Sequence, residues 1–141
     1  MERLVACEPR RCFDFILRQE PLAWSEDMRG IGLERDGELM AAVLYEGWSG
    51  PNIWMHCAKA PGVALTSRIF IPAVFIYPFD QLGVRRISAH IEEVNVPINR
   101  LVNKLGFRPE ARLAGAARDG GDVIIYRMWR HECRFVAPRS A

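Results

Sequence analysis

Residues 85–110 read RRISAHIEEVNVPINRLVNKLGFRPE, and their pattern decides the fold. Ile87, Ala89 and Ile91 alternate with Arg86, Ser88 and His90, so residues 86–91 form a strand with two distinct faces. Asn95 stands where a helix N-cap or a polar strand exit belongs, and Pro97 suits a first helical turn, whose N–H groups have no intrahelical partner. Ile98, Leu101, Val102 and Leu105 recur at i, i+3, i+4 and i+7, one apolar stripe along a helix. Gly106 is placed to be its left-handed stop, and residues 107–113 read as the next strand.

Outward from this stretch, residues 1–6 form a weakly patterned first strand, and residues 10–19 a helix with Cys12, Phe13, Phe15, Ile16 and Gln19 on one side. Residues 20–29 are loop, with Trp24 either closing the edge of the core or meeting a substrate. Residues 30–45 read as a hairpin turning at Asp36-Gly37. Its second arm, near-continuously apolar over residues 39–44, suits a strand covered on both faces. After the loop EGWSGP (46–51), residues 52–57 are a strand. Thr66 or Ser67 can cap a helix running toward Tyr77, distorted at Pro72 and ended by Pro78 and Gly83. Residues 114–121 turn into a last strand over 122–129, and the polar residues 130–141 are expected to fray.

This succession resembles the GNAT acetyltransferases along almost the whole chain. The motif that carries the resemblance is Asn95, Ile98, Leu101, Val102, then Lys104-Leu105-Gly106-Phe107, with residues 106–128 similar to the RimJ/RimL-type branch. It implies one α/β (α+β) domain over residues 1–141: a mixed central sheet flanked by helices, with splayed strands forming an acetyl-CoA cleft. Two positions depart from the family pattern. Ile98 replaces a small residue, and Val102 stands where many members carry the tyrosine that protonates the leaving thiolate. Tyr126 and Tyr77 are the phenols left for that task.

The resemblance implies an N-acetyltransferase that moves acetyl from acetyl-CoA to an amine of a small molecule or protein. Its acetyl-CoA loop follows a Gln/Arg-x-x-Gly-x-Gly/Ala pattern, echoed in KAPGVALTSR (59–68) only by Gly62 and Ala64. The implied cofactor contacts are Gly62, Val63, Ala64, Thr66, Ser67 and Arg68 around the pyrophosphate. Met55 and Cys57 lie on the strand that polarises the thioester, and Asn95 and Asn99 lie near the pantetheine arm. A loop leading into a helix start favours anions through free N–H groups and the dipole. Lys59 and Arg68 either add charge there or are solvated surface cations.

Acetylation needs a base to strip the acceptor ammonium, and imidazole, titrating near neutrality, suits that role. His56 is the first candidate, Glu46 the second, and Glu92 or Glu93 the third. Two other classes stay open: a GNAT-like acyl-CoA-binding module without turnover, and a cofactor-free interaction protein using exposed aromatic residues.

Composition bounds the rest. The chain has 141 residues, half of them hydrophobic, and a net charge of +2, too small to demand nucleic acid. Its histidines have no metal-ligand spacing, and its longest apolar run, interrupted by prolines, is too short to cross a membrane. Cys7, Cys12, Cys57 and Cys133 form no CxxC pair, so an intracellular, cytoplasmic protein with reduced thiols is expected. Acetyl-CoA and an amine acceptor are the implied partners, with a homodimer compatible.

Overall fold

Asp36 and Gly37 both take positive φ, 53° and 85°, the two-residue turn that suits the twist of paired strands. They join β2 (Arg29–Arg35) to β3 (Glu38–Glu46) in the expected hairpin. The computed structural model describes residues 2–64 and 68–138. Around the hairpin lie β1 (Glu2–Cys7), β4 (Asn52–Lys59), β5 (Arg86–Glu92), β6 (Arg108–Leu113) and β7 (Val123–Trp129). They make one seven-stranded sheet in the order β1-β2-β3-β4-β5-β7-β6. Every pairing is antiparallel except that of β4 with β5.

Helices cover both faces. On one, α2 (Phe70–Ile76) and α3 (Val96–Leu105) pack Phe70, Val74, Phe75, Ile98 and Val102 against Val43, Tyr45, Met55, Ile87 and Ala89. On the other, α1 (Pro9–Leu17) packs Cys12, Phe13, Phe15 and Ile16 against Ala42, Leu44 and Ala58. Adjacent residues of β3 therefore serve opposite cores, which explains its continuous apolar run. Glu8 caps α1, its carboxylate accepting from the N–H groups of Arg10 and Arg11 at 3.1 Å each. Trp24 lies at the edge of this second core, edge-on to Phe13 at 5.4 Å and still 38% exposed.

Residues 85–110 fold as their pattern dictates. Asn95 caps α3, and Gly106 ends it at φ 113°, where any Cβ would be strained.

Two expectations change. The α2 helix starts at Phe70 with no side-chain cap, and the expected caps Thr66 and Ser67 lie outside the described residues. Pro72 is thus its third residue, where no intrahelical partner exists for an N–H, so the helix need not distort there. The irregularity falls later, in a single π turn over Tyr77–Gln81 that contains Pro78. The C-terminal segment does not fray through residue 138. Cys133 and Val136 are buried in the larger core, and Phe135 stacks on Phe75 at 5.1 Å. Arg130 clamps the segment, bonding Asp80 at 2.8 Å and the carbonyls of Phe79 and Ala137.

Candidate active site

The parallel pairing of β4 and β5 covers only Asn52–Trp54 against Arg86–Ser88. Side chains lock that closed end: Ser88 Oγ donates to Asn52 Oδ1 at 2.7 Å, and Arg86 donates to Ser88 Oγ at 3.0 Å. Beyond it the strands diverge, as the resemblance implies. Met55, His56 and Cys57 on one side face Ala89, His90 and Ile91 on the other across a cavity of about 20 Å³. That is roughly the room one water occupies. Ile98, Val102 and Phe107 close it on the α3 side, and Glu20 and Pro21 on the α1 side.

The structure brings the two leading base candidates together. β3 and β4 place Leu44 opposite His56 and Glu46 opposite Trp54, so the Glu46 and His56 side chains share a face. His56 Nε2 donates to Glu46 Oε2 at 2.9 Å. With that hydrogen committed, Nδ1 is the ring nitrogen able to accept a proton. The His56 side chain is buried, and its ring meets His90 edge-on at 5.0 Å. Burial holds the His90 pKa below the ordinary imidazole range, and the neighbouring His56 charge lowers it further.

Glu92 and Glu93, the third candidates, are engaged elsewhere. Glu92 is buried and accepts from Arg118 through both the backbone N–H, at 2.6 Å, and the guanidinium, at 2.8 Å. These bonds hold its pKa low. Glu93 pairs with Arg112. Glu20 was not distinguished by the sequence, because it sits in a loop without periodicity. Here it is only 8% exposed, lines the cavity, and bonds the Asn95 side-chain amide.

A groove of about 580 Å³ lies beside α3. Val63, Ala64 and Arg68 from the expected phosphate loop line it, with Lys59, Lys104 and Arg134 adding positive charge. No carboxylate among the described residues lines it. Gly62 takes φ 77° in the turn just before, and Lys59 Nζ donates to the Val63 carbonyl at 2.8 Å. Met55 and Cys57 line the cavity, and burial pushes the Cys57 thiol up to about 12. α3 borders both spaces, with Ile98 and Val102 toward the cavity and Leu101 and Leu105 toward the groove.

Asn95 combines capping with its contact to Glu20. Asn99 is committed within the fold, donating to the carbonyls of Asn95 and Glu92 and accepting from the Tyr126 hydroxyl at 2.6 Å. Tyr126 also accepts from Asn103, and Tyr77 packs on Tyr45 at 5.1 Å, so neither phenol lines the cavity.

The chain matches no protein-family model, and no curated protein matches it significantly. Solved structures do match. A mutant form of the spermidine/spermine N-acetyltransferase SpeG from Vibrio cholerae superposes with TM-score 0.72 and 16% identity, over 93% of this chain and 96% of that one. A point mutant of the same enzyme gives TM-score 0.71 and 18% identity over 90% and 94%. The manganese complex gives 0.69 and 16% over 91% and 92%. The chain has a GNAT-like fold. At 16–18% identity the likeness is one of fold, and the side chains lining the splay between β4 and β5 are this chain's own. Among the described residues no helix is long and apolar enough to cross a membrane.

Proposed function

We propose that the protein transfers acetyl from acetyl-CoA to an amine. The observation that carries this reading is the Glu46–His56 pair on a cavity between splayed strands, beside a groove lined by four cations. The groove fits the phosphates of the nucleotide, because it offers Lys59, Arg68, Lys104 and Arg134 with no opposing carboxylate among the described residues. Acetyl-CoA supplies the activated thioester carbonyl. His56 Nδ1 takes the acceptor's ammonium proton, Glu46 holds the imidazole and stabilises the charge it gains, and the apolar walls exclude water. The amine nitrogen then bonds the carbonyl carbon, the C–S bond breaks, and the second proton that nitrogen must lose passes through water to the leaving thiolate.

Within this reading, the pattern of residues 106–128 favours a RimJ/RimL-type branch, and spermidine, the acceptor named for the solved relatives, belongs among the amines tried. The four unbridged cysteines favour a reducing, cytoplasmic setting. A second reading, acyl-CoA binding without turnover, is favoured by Val102, which gives the cavity an apolar wall where a proton donor would serve the thiolate. Acetyl-CoA titration by calorimetry, followed by thiol release over an amine panel, tests both. Binding without release selects the second, and absent binding rejects both.

The groove makes its own prediction. The double variant Arg68→Ala/Lys104→Ala is expected to weaken acetyl-CoA binding by roughly 30- to 150-fold, at about 1–1.5 kcal/mol for each charged contact. The loss should shrink with added salt. Unchanged calorimetric affinity in the double variant would place the phosphates elsewhere.

A further inference from the structure

Three carboxylates of the described residues are buried: Glu20, Glu34 and Glu92. Glu34 is paired with Arg11 and Arg3, and Glu92 with Arg118. Glu20 has no ion pair among the described residues. Its contact is the neutral amide of Asn95, and it faces the cavity that His56 also lines. A buried carboxylate without a cation is costly, by several kcal/mol in general, so it is relieved either by a proton or by a cation that enters the cavity beside it. Resting on the acetyltransferase reading, we propose that Glu20 is the specificity-determining residue for the acceptor, the counter-ion that receives a primary alkylammonium group in the cavity.

The size of the cavity agrees. A space of about 20 Å³ admits a group the size of water, which a primary ammonium is and a branched or tertiary ammonium is not. The arrangement separates two tasks. Glu20 reaches the cavity from the loop after α1 and binds the cation. His56 reaches it from β4 and takes the proton. A neutral amine gains nothing from Glu20, so charge discrimination is expected to reside there.

Burial raises the Glu20 pKa, with the Glu92 charge adding to the rise; Asn95, Arg118 and His56 oppose it. These partners come from β5, the α3 cap, the 114–121 turn and β4, the elements that face the group. The sign follows. A carboxyl whose folded pKa is raised destabilises the fold as it ionises, so the penalty is absent below the unfolded value near 4 and complete above the folded one.

Butylammonium chloride, followed by thermal unfolding, is the deciding probe because it needs no turnover. It is expected to raise the Tm of the wild type and to leave Glu20→Gln unmoved, a variant that keeps an oxygen for Asn95. In the wild type alone, the shift should fade as pH falls through the raised Glu20 range. Without ligand, Glu20→Gln should melt above the wild type at pH 8 and lose that advantage near pH 4. In turnover, kcat/KM for butylamine should fall by roughly 30-fold or more, and by much less for aniline, which is neutral at pH 7 and brings no charge for Glu20 to meet. Equal butylammonium shifts in both proteins, a wild-type shift independent of pH, or parallel losses with butylamine and aniline each overturn the assignment. Calorimetry with acetyl-CoA should be the same for both proteins. A wild type that binds none rejects the acetyltransferase reading, and the thermal measurement still decides the role of Glu20.

Discussion

His56→Ala is expected to cut turnover roughly 100- to 10,000-fold, the usual contribution of a positioned acid–base group. Acetyl-CoA affinity should stay the same, because His56 lies outside the cationic groove. The size of the effect follows from how firmly the ring is held. Its Nε2 is bound to Glu46 at 2.9 Å, and its side chain is 6% exposed. His90, whose pKa burial lowers, packs against one edge. A ring so fixed loses little orientational freedom on reaching the transition state. Glu46→Gln, which keeps the shape and removes the charge, should cost less than His56→Ala, because the ring keeps an oxygen to orient it but loses the carboxylate that stabilises the charge it gains. His90→Ala should preserve the pH-dependent step. The assignment fails if His56→Ala retains both turnover and the wild-type pH profile.

The part of this site that was legible in the sequence is the part carried by strands. In residues 52–57, alternation assigns His56 a face, and the β3–β4 register, with Leu44 opposite His56 and Glu46 opposite Trp54, puts Glu46 on the same one. Their contact is then a consequence of strand pairing, although the sequence treats them as competitors. Residues 85–110 were legible for the same reason, since the capping and stop residues act locally. Glu20 was not legible. It lies in an irregular loop, and its significance is set by burial against Asn95, 75 residues away. The roles of Asn99 and Tyr126 were hidden likewise, as the phenol is claimed by α3 rather than the cavity. The start of α2 was misplaced because hydroxyl residues imitate a cap, while an apolar helix held by its core contacts forms without one.

The C-terminal segment is the clearest case of long-range packing overriding local composition, and it yields the largest expected loss of stability. Residues 130–138 read RHECRFVAP, polar enough to suggest solvation. Yet Phe135 lies parallel to Phe75, 7° between planes, and Phe75 also meets Phe107 at 6.1 Å. Phe75 is fully buried, so Phe75→Ala removes a ring from the junction of α2, the residue that leads from α3 into β6, and the tail. The expected cost is about 3–5 kcal/mol, lost transfer energy plus the cavity left behind. For a domain of this size that lowers Tm by roughly 10 °C. Phe135→Ala separates the two descriptions of the tail. A frayed segment predicts no change, whereas the stacked one predicts a measurable loss, smaller than that of Phe75→Ala because Phe135 is only partly buried. The two changes should also be non-additive, since each removes the same stacked pair. Thermal unfolding of both single variants and the double completes the cycle. A Tm for Phe135→Ala equal to that of the wild type would return the tail to solvent and leave Phe107 as the principal aromatic partner of Phe75.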